Sequence, residues 1–191
     1  MRRLMKPWWI FLLLIAVLVP IAWVQLRAPH EPSDRVKELL GPKVMAILSD
    51  ADRVEVFRID GYSGYGDLRQ KPGPRVGDFL VIGQGDDQGK EFARDLAAVL
   101  FKDQTYFDNP RDKCFWPGVA YRVWKDKQRV DVLMCFLCDN VALTAKDDDP
   151  GKEKWAGGSF LGTSSRSLLV RLAKRAFPND PEIVELTETK H

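Results

Sequence analysis

A chain of 191 residues with 45% hydrophobic and 29% charged content has the make-up of one globular domain plus an appendage, which excludes a disordered or low-complexity protein. Four of its 29 Lys and Arg residues, and none of its 27 Asp and Glu residues, fall in residues 1–30, so the remainder sets 25 basic against 27 acidic groups and is near −2. A slightly acidic domain without a basic stripe argues against nucleic acid as a partner.

Residues 1–6 form a basic flank with Arg2, Arg3 and Lys6. Residues 7–24 (PWWIFLLLIAVLVPIAWV) carry no charge and place Trp8, Trp9 and Trp23 at the two ends. As a helix this run reaches about 27 Å, close to the hydrocarbon thickness of a bilayer, and indole rings favour the headgroup level. The expectation is an uncleaved transmembrane helix. A cleaved signal peptide is the rival, but no Ala-x-Ala site follows Trp23. The basic flank then keeps the N-terminus cytoplasmic and sends the domain out, at an inner or plasma membrane crossed once.

Residues 25–35 are a linker. Val36, Leu40, Val44 and Ile47 fall at helical spacing, interrupted by Gly41-Pro42, which predicts a kink or two short helices. Residues 54–59 alternate and predict a strand, 61–74 is a Gly/Pro-rich loop, and 78–82 predicts a second strand. Phe92, Leu96, Val99 and Leu100 mark an amphipathic helix. Residues 119–124 and 130–136 read as hairpin arms, 141–144 as a further strand, 146–154 as a charged loop, and Leu168 to Ala176 as a last helix stopped by Pro178. The expected fold class is α+β: one N-terminal transmembrane helix followed by a mainly antiparallel sheet with helices packed on one face. The extracytoplasmic domain spans 36–180, and 181–191 is a flexible tail.

The catalytic inventory is thin. His30 lies in the linker and His191 ends the chain, so neither is placed to be oriented in a cleft as a Ser-His or Cys-His pair requires. Thr163 to Ser167 lacks the glycine frame of a nucleophile elbow. Gly83 to Gly89 sits where a phosphate turn would lie, but its spacing is not G-x-G-x-x-G, and Asp86 and Asp87 would repel phosphate. Asp147, Asp148 and Asp149 are consecutive and point in different directions, unlike the alternating ligands of a calcium loop. No catalytic residue, cofactor or metal is expected.

The three cysteines, Cys114, Cys135 and Cys138, all fall in or beside the hairpin. Cys135 to Cys138 is a C-x-x-C, but Asp139 stands where haem attachment requires histidine, and no histidine is near enough to complete a zinc site. A structural disulfide leads, with thiol-redox chemistry, or a soft-metal site completed by Met134, left open. If the hairpin turns near Asp126-Lys127, residues facing across the arms have numbers summing to about 252–254, which opposes Cys114 to the stretch from Cys138 to Asn140. Alternation along a strand points Cys135 and Cys138 to opposite faces. The register therefore predicts a Cys114–Cys138 bridge, with Cys135 a buried free thiol and a bulge at Pro117-Gly118 able to shift the pairing.

Cys114, Phe115, Pro117 and Ala120, followed by Cys135, Phe136 and Cys138, resemble the Cys-Phe-x-Pro-x-x-Ala and Cys-Phe-x-Cys pattern of a small group of uncharacterised bacterial exported or membrane-anchored domains. The likeness covers about 25 residues. It implies a shared centre at this hairpin and no activity. The function expected is a non-catalytic binding or interaction module with a protein or small-molecule partner, anchored in the lipid bilayer through residues 7–24. The alternative is a thiol-redox or soft-metal-binding protein.

Overall fold

A computed structural model describes residues 31–110, 113–145 and 154–189. The apolar run at 7–24, His30, Asp147 to Asp149 and His191 lie outside the described residues.

Helix α1 (Asp34–Ser49) is capped by Ser33, whose hydroxyl accepts from the Val36 N–H at 3.3 Å. Gly41, at φ 74°, kinks it where Gly41-Pro42 interrupts the pattern. Its apolar stripe, Val36, Leu40, Val44 and Ile47, is buried. Strand β1 (Arg53–Asp60) follows, then a 3-10 turn at Gly66–Gln70, a two-residue β2 (Arg75–Val76) and β3 (Phe79–Gln84). Helix α2 (Lys90–Leu100) buries Phe92, Leu96, Val99 and Leu100. The second half runs β4 (Val119–Lys125), β5 (Gln128–Cys135), β6 (Asn140–Ala145), β7 (Lys154–Ser159), α3 (Ser164–Ala176) and the short α4 (Pro181–Val184).

The seven strands form one antiparallel sheet in the order β2-β3-β1-β4-β5-β6-β7. The β4–β5 register runs from Val119↔Met134 to Lys125↔Gln128, turning at Asp126, whose φ is 53°. Alternation sorts the side chains cleanly. Val54, Val56, Tyr121, Val123, Val130, Val132, Met134, Val141 and Leu143 pack with the helices in the main core. Phe57, Ile59, Val76, Phe79, Ala120 and Leu133 form a second, smaller core on the other face.

The expected fold class is corrected in the form of its sheet, while the run expected as a transmembrane helix lies outside the described residues. Among the described residues no helix is long and apolar enough to cross a membrane. The sheet, expected simply as a mainly antiparallel layer with helices packed on one face, is a curled half-barrel with a second core on its other face. Strand twist and a register shift between Arg58 and Ile59 bend it. The loop after β1 then folds back over the second core. Arg122 and Asp131, cross-strand partners on that face, form a two-pronged ion pair at 2.7 and 3.0 Å. Arg122 also donates to the Arg75 carbonyl at 3.2 Å, and the Gly77 N–H donates to Asp131 at 3.4 Å, which pins the β2–β3 hairpin in place.

Residues 181–189, expected as a flexible tail, instead begin with α4. Asp180 caps it by accepting from the Ile183 N–H at 3.1 Å, and Ile183 is buried.

Candidate functional site

One end of the sheet gathers the C-termini of β1, β5 and β7 and the N-termini of β3, β4 and β6. Its framework is the β5–β6 turn. Cys135 ends β5, residues 136–139 leave the strand, and Asp139 takes a left-handed conformation at φ 50°. The turn is closed by a disulfide between Cys135 and Cys138, whose Cα atoms are 5.6 Å apart. The Cys138 N–H donates to the Cys135 sulfur at 3.3 Å.

The expected Cys114–Cys138 bridge is therefore corrected, as is the free thiol at Cys135; the free cysteine is Cys114, and it is half-buried. The hairpin register was sound, since Val119↔Met134 sums to 253. That register does not extend to the cysteines. The last contact is the Gly118 N–H to the Met134 carbonyl at 3.1 Å, and the alternation that would hold Cys135 and Cys138 apart stops where β5 stops. The Cys114 backbone does reach the stretch it was expected to oppose, because its carbonyl accepts from the Asn140 side chain at 3.1 Å.

Beneath the turn lies a charge pair that sequence reasoning missed. Asp139 is fully buried, and its carboxylate is ion-paired with Arg166 of α3, which is almost as buried. Arg166 donates further to the Phe136 carbonyl at 3.4 Å and the Thr187 carbonyl at 3.1 Å. Burial pulls the Arg166 guanidinium below its ordinary value. Arginine titrates so high that it remains the cation. The Asp139 carbonyl accepts from the Phe160 N–H at 2.8 Å and the Ser159 hydroxyl at 3.2 Å. One residue thus ties together the hairpin, β7, α3 and, through Arg166, the C-terminal segment. The only sequence signal was a buried-looking stretch containing one acid, with an arginine in the first turn of the last helix.

Exposed apolar side chains concentrate above this framework. Among the described residues, five of the eight exposed large hydrophobic side chains lie on loops at this end: Tyr62, Tyr65, Trp116, Leu137 and Leu161. Tyr62 and Trp116 stack with ring centroids 5.4 Å apart. The Tyr65 hydroxyl donates to the Phe115 carbonyl at 2.5 Å, and Phe79 meets both the Tyr65 and Phe115 rings edge-on at 6.1 Å. Gly61 allows this approach, because a Cβ there would lie 2.6–2.9 Å from the Trp116 and Pro117 backbone. On the Leu161 side, the Asn109 side chain donates to its carbonyl at 2.6 Å. The run Gly61-Tyr62-Ser63-Gly64-Tyr65-Gly66, aromatic residues among glycines, was the sequence sign of a ring-bearing loop. The opposite end of the sheet is charged: Lys125 pairs with Asp50 at 3.2 Å, and Lys90 pairs with Asp52 at 3.8 Å.

Other sequence candidates are occupied in ordinary ways. Ser164 donates to Gln104 at 2.6 Å, Ser165 accepts from Thr105 at 2.9 Å, and Ser167 donates to Glu188 at 2.9 Å. The 83–89 turn lies along β1, with the Gly85 N–H donating to the Val56 carbonyl at 3.1 Å. Among the described residues no group of three or more His, Cys, Asp or Glu side chains is placed to hold a metal ion.

No protein family, curated protein or solved structure matches this chain.

Proposed function

We propose that the domain is a non-catalytic binding module whose contact surface is the loop-bearing end of the sheet around Tyr62, Tyr65, Trp116, Leu137 and Leu161. The observation that carries this reading is the segregation of exposed apolar side chains to one end. Loops on a rigid scaffold are where binding residues concentrate, and a clustered exposed apolar surface marks an interaction site. Aromatic rings give large contact area at low cost in lost side-chain freedom. The disulfide and the Asp139–Arg166 pair supply rigidity beneath them.

We place the domain outside the cytoplasm, with residues 7–24 as the part of the chain that meets lipid. The disulfide supports this location, because such bonds persist in oxidising compartments. Crosslinking in cells followed by affinity purification tests the binding reading. The intact chain should capture a partner that a Tyr62→Ser/Trp116→Ser chain does not, and equal capture by both would overturn it.

A thiol-redox or soft-metal role for Cys114, Cys135 and Cys138 is the second reading, favoured by the bonding of the C-x-x-C pair itself. Burial weighs against it: Cys135 is fully buried and Cys138 is 5% exposed, whereas exchange needs an accessible sulfur. Disulfide-reductase activity lost on Cys138→Ser would establish it.

A further inference from the structure

On the helical face of the sheet, α2 and α3 lie antiparallel. Asp95 meets Arg175 at 3.0 Å at one end of the pair, and Gln104, just beyond α2, meets Ser164 at 2.6 Å at the other. Between them runs an open groove of about 380 Å³, within the roughly 300–1,000 Å³ usual for small-molecule sites. Ala98, Val99, Leu168 and Leu172 give it an apolar floor.

The charges on its rim are unevenly placed. At the Asp95 end, Arg175 is neutralised by its partner. Further along stand Arg171, one turn before Arg175, and Lys102, a further turn toward the other end. Lys102 makes no ion pair among the described residues. Arg171 and Ser167 together hold the Glu188 carboxylate, at 2.8 and 2.9 Å, on a single oxygen. Glu188 belongs to the C-terminal segment and does not line the groove, but its carboxylate already engages the guanidinium of Arg171, which does.

We infer that this groove binds a single-chain carboxylate amphiphile of the fatty-acid class, with its head between Lys102 and Arg171 in place of Glu188 and its chain along the apolar floor. Charge complementarity sets the polarity. The cationic end takes the anion, and the far end, where Arg175 and Asp95 cancel, asks for no charge. Glu188 acts as an internal competitor whose displacement frees both Arg171 and Ser167.

Isothermal titration of the purified full-length chain with dodecanoate, kept below its micellar concentration, tests this. The wild type should bind saturably. Because Arg171 is half-exposed, each charge contributes modestly: Lys102→Gln and Arg171→Gln should each weaken binding about two- to five-fold, and Glu188→Gln should strengthen it by a similar factor. Ala98→Phe, which fills the groove, should abolish binding while the circular-dichroism spectrum stays that of the wild type. The charge variants alter exposed or half-buried side chains at the surface and keep the test valid if Ala98→Phe misfolds. Three results would overturn the inference: no saturable binding by either the wild type or Glu188→Gln, equal binding of dodecanol, or tighter binding of dodecyl phosphate.

Discussion

Asp139→Asn separates the charge of the buried pair from everything else that position does. Asp139 sits at φ 50°, a region that asparagine tolerates about as well as aspartate, so the backbone is not newly strained. The volume is nearly unchanged, and the backbone carbonyl still accepts from Phe160 and Ser159. What remains is the Arg166 cation, 3% exposed, facing a neutral amide. Breaking a buried pair from one side costs about 3–5 kcal/mol, because the surviving charge is left uncompensated. With a urea dependence of about 1–3 kcal/mol per molar, the unfolding midpoint should fall by roughly 1–5 M. Tryptophan fluorescence in a urea titration measures it. Asp139→Asn/Arg166→Met should recover most of the loss, since replacing both partners of a buried pair with uncharged groups is often neutral. A loss below about 1 kcal/mol in the single variant, or a double variant weaker than the single, would refute the view that the pair clamps this end of the sheet.

Removing the Cys135–Cys138 bridge as Cys135→Ser/Cys138→Ser should cost about 2 kcal/mol, since the closed loop is short, and non-reducing peptide mapping of the wild type should find Cys114 alone alkylated. Gly61→Ala should cost about 1–3 kcal/mol in chemical denaturation by pushing against the Trp116 backbone, and should also reduce partner capture. Trp116→Ser, at a side chain 38% exposed, should change stability by no more than about 1 kcal/mol while removing partner capture. A periplasmic-type reporter fused after His191 should be active; activity only in the cytoplasm would contradict the proposed location.

Much of the sheet was legible because alternation is a local signal. Residues 54–59 and 119–136 reported their strands, the turn at Asp126 set the register, and Gly41-Pro42 announced the kink. Strand β7 was hidden, because Trp155-Ala156-Gly157-Gly158-Ser159 offers few β-branched residues. Its glycines are explained only by what crosses them, as where Gly158 lies against the Tyr106 backbone. The curl, and the return of the 61–76 segment over Leu133, depend on contacts between residues far apart in sequence, which periodicity does not report. The cysteine pairing failed at a strand end, where a difference of one or two residues replaces alternation with a turn. Asp139 and Arg166 are 27 residues apart, and no local pattern reports that they pair.

The contact surface is tested most directly by photo-crosslinking residues placed one at a time at Tyr62, Trp116, Leu137 and Leu161, with Lys127 at the charged end as the comparison. Irradiation of intact cells should give the same covalent adduct from several of the first four positions and none from Lys127. Adducts from Lys127 alone, or none from any of the four apolar positions, would contradict the assignment of binding to this end of the sheet.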